Sequence, residues 1–435
     1  MAVTRRTLVL RYADVGIATY GSLRVVGEPS RIVTWVLEEP LLLAALAELD
    51  AAIPEPGPGE SLTDALTRAL ADGPFTTPAA ELELAYRLGV LLLSEAAWKL
   101  LLDCVATPRA VLFVAPSARL ARVPWGLLAL PALRPPPADL VAARAAAITA
   151  EGSTAAAIPW PAEDIALRTE GHRLMELVDV LMTLPANVVH SARARVSWSQ
   201  REGAPALLVL DPRVPNQRAD SALGSVLGRP DPDSSIAGHF QGVLGKQPVR
   251  PPVGTAVELF RRADADRAWL AAELSHGPSR MLFVGHATAA DVGRADQAAI
   301  HLADEVALTA VDVMALRLEM PPRVALLACA SGGDYRFDEA TGLVAAVVLG
   351  GAELVTATLW TLPTTAGFTR FAHGAAGDPM ADVVMAVDDA HQADDAGCAV
   401  NAWQRAQMRR WRAGDTAASP VYWAALVTFT VDGAR

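Results

Sequence analysis

Cysteine is nearly absent from this chain: Cys104, Cys329 and Cys398 are the only three among 435 residues. An odd, sparse set excludes a disulfide framework and fits a reducing compartment, so a cytoplasmic location is expected. Charge is scarce too. Charged residues make up 20% of the sequence, too few for a largely disordered chain, while 52% hydrophobic residues allow a sizeable core. No run rich in Lys and Arg occurs and the formal net charge is −11, so general nucleic-acid binding by phosphate neutralisation is not expected. There is no Cys-x-x-Cys pair and no His-Glu-x-x-His, which removes the usual zinc patterns. The Gly-Lys-Ser/Thr loop of nucleotide hydrolases is also missing, and no cofactor is expected. The longest apolar stretch, Gly342 to Trp360, is interrupted by Glu353 and the Gly350-Gly351 pair. It reads as a buried helix, turn and strand, not as a membrane span. Near the N-terminus Arg11 and Asp14 break the apolar run that follows Arg5 and Arg6, so no secretory leader is expected. No internal repeat of 20–50 residues is present, which excludes a solenoid.

What the chain does contain falls into two patterns. Up to about residue 84, β-rich runs (Thr7 to Tyr12, Ser22 to Val26) precede helical spacing at Glu38 to Ala52, Leu62 to Ala71 and Ala79 to Val105. From residue 108, short apolar runs alternate with helical ones. Strands are expected at Ala110–Ala115, Ala206–Leu210, Arg280–Val284, Val324–Leu327, Glu353–Leu359 and Ala424–Thr430. Helices are expected at Val257–Leu274, Ala310–Leu316, Glu339–Val348 and Ala399–Trp411. Such alternation implies a mostly parallel sheet with helices on both faces, whose strands should be apolar throughout, as these are. Residues 212–250, dense in Pro, Gly, Asp and Ser, read as a long loop open to cleavage, and Pro135-Pro136-Pro137 as another loop.

Two of the strands end in reactive side chains. Met281-Leu282-Phe283-Val284-Gly285-His286 delivers an imidazole just past its apolar run. Val324-Ala325-Leu326-Leu327-Ala328-Cys329 delivers a thiol, followed by the small turn Ala330-Ser331-Gly332-Gly333, with a helix beginning near Asp338. The two residues are 43 apart, enough for one crossover between neighbouring parallel strands. Functional groups in open parallel sheets collect at the carboxyl ends of strands. A thiolate paired with an imidazole is a nucleophile with its own acid and base. A tight turn after the cysteine turns its backbone N–H toward a developing oxyanion, worth roughly 3–4 kcal/mol in acyl transfer. Taken singly, each residue has a plainer reading: a cysteine after a strand is usually a small buried hydrophobe, and a strand-end histidine a hydrogen-bonded structural group.

The surrounding blocks, taken in order, resemble the CHAT family of peptidases, relatives of the caspases and separases, over residues about 85–435. Val111-Leu112-Phe113-Val114-Ala115-Pro116 with Leu120-Ala121-Arg122-Val123-Pro124-Trp125 is similar to its first strand and turn. Ile300 to Asp304 with Leu308 to Asp312 is similar to its hairpin and helix between His and Cys. Leu349-Gly350-Gly351-Ala352 through Leu359-Trp360 is similar to the helix and strand after the cysteine, and Ser419 to Ala424 to the terminal strand. The caspase signature likewise sets a histidine about 50 residues before its cysteine.

The resemblance implies a caspase-like α/β fold; residues 1–84, outside it, are read as a small N-terminal α+β module expected to act in regulation or partner docking. It implies peptide-bond hydrolysis of a protein substrate, Cys329 as nucleophile and His286 as its base, in bacterial signalling, defence or cell death. The Cys329 N–H and backbone at Gly285 or Ala287 would form the oxyanion hole. Three positions depart from the family pattern: Ala287 where glycine usually follows the histidine, Leu327 where serine is common, and Thr364 where separase-like relatives place an acid after the conserved Trp360. A neutral or apolar substrate preference is therefore expected. Asp211 either supplies an acid to the cleft or is a turn residue before Pro212. The rival readings are a catalytically silent binding module on the same fold, and a different α/β hydrolase or transferase using Cys329. His276 reads as a loop residue, Cys104 as core, Cys398 as a loop thiol, and Trp403 with Trp411 as core positions on one helical face.

Overall fold

The computed structural model describes residues 5–16, 18–37, 39–105, 109–129, 173–190, 195–217, 223–229, 231–290, 294–333, 342–374 and 377–431. The expected Pro135–Pro137 loop and the helix start near Asp338 lie outside them. The chain forms two compact units, Met1–Met182 with Phe371–Gly374 and Gln404–Ala424, and Thr183–Arg370 with Ala375–Trp403 and Ala425–Arg435.

In the first unit the strands are β1 (Thr7–Val15), β2 (Ala18–Val25), β3 (Ile32–Leu37), β4 (Val111–Ala115) and β5 (Asp179–Thr183), in the order β3-β2-β1-β4-β5. β1 to β3 form an antiparallel meander, and β1, β4 and β5 run parallel. Leu8, Leu10 and Tyr12 are buried while Arg11 and Ala13 are exposed, the period-two pattern of a sheet with one face packed. The helical stretch expected over 79–105 is two helices, Pro78–Leu92 and Glu95–Leu102. Leu93 turns extended, Ser94 caps the second helix by accepting from the Ala97 N–H, and the Leu92 carbonyl left at the break accepts from Tyr12 Oη at 2.8 Å and Trp35 Nε1 at 2.9 Å. The break is thus fixed by strand aromatics more than 50 residues earlier, which no helical periodicity reports. The boundary expected after residue 84 falls inside the Pro78–Leu92 helix. Arg173 and Glu81, both fully buried, meet in a bidentate ion pair at 2.7 and 2.9 Å.

In the second unit β6 (Ala206–Leu210), β7 (Val249–Arg250), β8 (Arg280–Val284), β12 (Arg323–Leu327), β13 (Leu354–Thr358) and β14 (Leu426–Thr430) follow the order β14-β13-β12-β8-β6-β7. Only β14 is antiparallel to its neighbour in this series. Every residue of β6, β8, β12, β13 and β14 is buried. Because side chains alternate between faces, both faces are covered, as the apolar runs predict. Between β8 and β12 lie a small sheet of β9 (Ala287–Thr288), β10 (Ala299–Ile300) and β11 (Leu308–Thr309), and the Ala310–Ala315 helix.

Three expectations are corrected here. Residues 212–250 are not one loop: Ser234 caps a helix over Ser235–Leu244 that buries Ile236, Ala237, Phe240 and Val243, and β7 follows. Pro232 and Gly245 flank this helix, and Gly238 and Gly242 lie within it without breaking it. The helix expected over 257–274 is a short 3₁₀ turn, Ala256–Leu259, and a separate helix, Arg267–Ser275. The left-handed backbone at Arg261 (φ 54°) and the Asp266 cap, which accepts from the Trp269 N–H at 2.7 Å, divide them. Residues 419–424 are not strand: Ser419 caps the helical turn Pro420–Trp423, since proline at the first helical position has no N–H to lose. β14 begins only at Leu426.

The register of β8 against β12 is anchored at its base. Arg280 stands opposite Arg323 in the pairing. Arg280 pairs with the buried Asp388. Arg323 donates to the carbonyls of His391 at 2.8 Å, Ala393 and Asp394 at 2.6 Å, and stacks on Trp198 at 3.8 Å. Slipping either strand by one residue would turn its arginine to the other face and strand a buried charge, at a cost of about 3–5 kcal/mol. His391 packs in the same layer, with Nε2 at 2.8 Å from Thr356 Oγ1. Burial, then the charges of Arg280 and Arg323, lowers its pKa to about 3. Among the described residues no helix is long and apolar enough to cross a membrane.

Two outcomes follow from these buried groups. Glu81→Ala should destabilise the protein by about 3–5 kcal/mol in urea unfolding, because Arg173 is left charged and unpaired, while Glu81→Leu with Arg173→Met should recover most of the loss. Between pH 6.5 and 3 the unfolded chain protonates His391 and the folded protein does not. Stability should therefore fall with decreasing pH by about 1.4 kcal/mol per unit from this group, and His391→Gln should flatten the dependence between pH 7 and 5.

Candidate active site

β8 and β12 pair in parallel with Val284 opposite Leu327, and the Gly285 N–H donates to the Leu327 carbonyl at 3.2 Å. His286 and Cys329 each stand two residues past that last registered pair, at one level of the sheet. Both are half-buried, the point where two otherwise sealed strands emerge. Cys104 and Cys398, by contrast, are buried; Cys104 packs beyond the end of its helix and Cys398 lies within the Ala396–Arg412 helix, not in a loop.

The turn after Cys329 is held rigidly. Ala330 has a left-handed backbone, φ 49°, which costs a non-glycine residue about 1 kcal/mol or more. Hydrogen bonds to the ends of β12 and β13 over-determine it. Thr358 Oγ1 donates to the Ala328 carbonyl at 2.5 Å, Ser331 Oγ donates to the Leu326 carbonyl at 2.6 Å, and the Gly332 N–H donates to the Thr358 carbonyl at 2.9 Å. Gly332 is closely packed: a methyl group on it would lie 3.2 Å from the Thr358 carbonyl oxygen and 3.2 Å from the Val427 side chain, so these neighbours would have to move by a few tenths of an ångström.

His286 is fixed from both sides. Its carbonyl accepts from the His301 N–H at 2.9 Å, and the next residue, Ala287, pairs with Ile300 in the small sheet. Ala287 thus takes ordinary extended backbone, so the alanine found in place of glycine brings no strain. On the ring, Nε2 lies 2.8 Å from the Gly224 carbonyl. A carbonyl only accepts, so Nε2 carries the proton and Nδ1 holds the lone pair of the neutral ring. His301 sits close by, its Nε2 at 2.7 Å from Thr288 Oγ1, and burial followed by the proximity of His286 lowers its pKa. Gly285 leaves no room for a side chain, since a methyl group would meet Phe283 at 2.9 Å and Pro212 at 3.3 Å.

The other expected site residues are placed differently. Leu327 and Trp360 are fully buried. Thr364 caps the Thr365–Phe371 helix, its Oγ1 accepting from the Gly367 N–H at 3.1 Å and its carbonyl from the Phe368 N–H at 2.8 Å. Asp211 follows β6 with a left-handed backbone, φ 52°, and is 1% exposed. Its carboxylate accepts from Ser225 Oγ at 2.5 Å and from the Val226 N–H at 3.1 Å. His276 is an exposed residue at the end of the Arg267–Ser275 helix. Trp411 is buried and Trp403 half-buried.

Sequence reasoning missed Gly224, Ser331 and Thr358. The hydroxyls were visible as Thr and Ser in apolar surroundings, but nothing local links Thr358 to Ala328. Gly224 lies in a stretch whose composition signals only turns. Among the described residues, His239, Asp388 and Asp389 bring possible metal-ligating atoms within 4.8 Å. Burial would raise the Asp388 carboxyl, but Arg280 and His239 hold it below its ordinary range. With Gln392 Nε2 also at 3.1 Å, that carboxylate is committed to its partners, and a cation there would face the Arg280 charge.

The CHAT domain family model matches residues 82–431. Among solved structures, two of the Saccharomyces cerevisiae separase–securin complex align with 98% of this chain at 11% and 12% identity, with TM-scores of 0.44 and 0.42. The alignment spans 30% of the chain in those structures. No curated protein matches by sequence.

Thr358→Val should cost about 1 kcal/mol in urea unfolding by removing one of the two donors to the buried Ala328 carbonyl, the other being the Ser331 N–H at 3.1 Å, and Thr358→Ser should restore it.

Proposed function

This chain belongs to the CHAT-domain family, and on that premise we propose that it is a cysteine endopeptidase with Cys329 as nucleophile and His286 as general base and acid. The observation that carries the reading is the equal register of the two residues on adjacent parallel strands. His286 Nδ1, the nitrogen left basic by the Gly224 contact, takes the thiol proton. The thiolate attacks the scissile carbonyl, and the oxyanion is met by the Cys329 N–H in its rigid turn, with backbone at Ala287 as the second donor, because the Gly285 N–H is engaged by the Leu327 carbonyl. His286 then returns its proton to the leaving amine, and water, deprotonated by the same ring, hydrolyses the thioester.

With Thr364 and Leu327 uncharged and the Asp211 carboxylate turned to the Ser225 and Val226 segment, a neutral or apolar residue before the cleaved bond fits best. The substrate in this reading is a partner protein in bacterial signalling, defence or cell death, met in the cytosol. Residues 1–84 serve as the regulatory or partner-docking module, and residues 85–435 as the peptidase domain.

The test is to incubate the protein, Cys329→Ala and His286→Ala with candidate partner proteins and follow cleavage by mass spectrometry. Wild type should cut at a defined site, and either substitution should lower kcat/KM at least about a thousandfold. Equal product from Cys329→Ala defeats the assignment. A partner bound but left intact by the wild type favours a silent binding module.

A further inference from the structure

Asp211 is a buried carboxylate just past the end of β6. It is 1% exposed and adopts φ 52°, and its neighbour across the corner, Arg261, adopts φ 54°. Two non-glycine residues held left-handed at one corner mark a conformation imposed by something other than local preference. The carboxylate offers about four acceptor positions. Four donors fill them: Ser225 Oγ at 2.5 Å, the Val226 N–H at 3.1 Å, the Leu227 N–H at 3.3 Å and Arg261 Nη1 at 3.4 Å.

These contacts close a circuit onto His286. The Asp211 N–H donates to the Val284 carbonyl at 2.6 Å, tying Asp211 to the strand that carries the histidine. Its carboxylate gathers Ser225, Val226 and Leu227 into a turn. The residue before that turn, Gly224, presents its carbonyl to His286 Nε2 at 2.8 Å. Arg261 Nη1 reaches both Asp211 and, at 3.3 Å, the same Gly224 carbonyl. The segment that meets the imidazole has a carboxylate and a guanidinium behind it, while the ring itself touches neither in this circuit.

Building on the peptidase reading, we propose that Asp211 is a positioning residue: by organising the 224–227 turn it holds the Gly224 carbonyl against His286 Nε2 and so keeps Nδ1 basic for proton exchange with Cys329. Without that acceptor the neutral ring distributes its proton over both nitrogens, and the fraction ready to accept the thiol proton falls. Among the described residues, the other titratable or charged groups near the ring are His301 and Arg261; His301 has no hydrogen bond to Asp211, whereas Arg261 loses its ion pair with Asp211 in the variants.

The test needs no substrate. The rate of Cys329 alkylation by iodoacetamide is measured against pH by mass spectrometry in wild type, His286→Ala, Asp211→Ala and Asp211→Asn. The tautomer of His286 is read from ¹⁵N shifts of histidine-labelled protein, and thermal unfolding reports folding. In wild type the alkylation midpoint should lie below the free-thiol value of about 8.5, and His286→Ala should return it there. Asp211→Ala should slow alkylation at pH 7 about twofold, as the fraction of rings with a basic Nδ1 is halved, and give a mixed tautomer signal. Asp211→Asn, which tolerates the left-handed backbone and keeps one acceptor oxygen, should fall between and supplies the same readouts if Asp211→Ala does not fold. A wild-type profile in His286→Ala would remove the peptidase reading itself. A shifted profile in His286→Ala, with wild-type alkylation and an unmixed Nε2–H tautomer in folded Asp211 variants, would overturn the positioning role and leave the peptidase reading standing.

Discussion

The parallel pairing of β8 with β12 is the constraint on which the site depends. Arg280 and His286 are six residues apart, and so are Arg323 and Cys329. The two arginines are partners in the register, so the two reactive residues reach the same level at the other end. Both strands are apolar on both faces, and apolar side chains alone would tolerate a slipped pairing. The buried charges at the base do not. Arg280 has its carboxylate in Asp388, and Arg323 has carbonyls at His391, Ala393 and Asp394. Polar groups that stabilise little in net terms here fix which residues emerge together.

At the opposite end, order comes from backbone clamps and not from side-chain packing. Three of the described non-glycine residues with left-handed backbone, Asp211, Arg261 and Ala330, surround the point where His286 and Cys329 emerge. Each is held by hydrogen bonds from a different element: Asp211 by the 225–227 turn, Arg261 by the Leu210 carbonyl at 3.1 Å, and the Ala330 turn by Thr358. Strain of this kind persists only where neighbours over-determine it, and it is concentrated where reacting groups need one geometry.

The strands β6, β8, β12, β13 and β14 were legible because each is a short apolar run bounded by breakers, and burial on both faces leaves such runs little alternative; β7, two residues long in a segment read as loop, was not. Boundaries were less so. The Leu93 break, the Arg261 break and the Pro420–Trp423 turn are each fixed by a cap or a carbonyl acceptor contributed from elsewhere in the fold or by a backbone twist, and hydropathy periodicity carries none of these. The 235–244 helix was hidden by the flanking Pro230, Pro232 and Gly245, although Ile236, Phe240 and Val243 hold helical spacing between them.

The sequence by itself determined the class of fold, the family, and the two residues worth watching, because strand-end His286 and Cys329 sit in local patterns that survive without any tertiary context. Only the tertiary structure decided what surrounds them. The tautomer of His286 depends on a carbonyl 62 residues away at Gly224, and the shape of the cysteine turn depends on Thr358, 30 residues beyond Ala328. Asp211 could be an acid for the cleft or a turn residue as far as its neighbours tell. Its four donors come from residues 225–227 and from Arg261, contacts made only after the chain has closed. Hydropathy and spacing are properties of neighbours along the chain, whereas hydrogen-bond partners are chosen by which segments the packed sheet brings together.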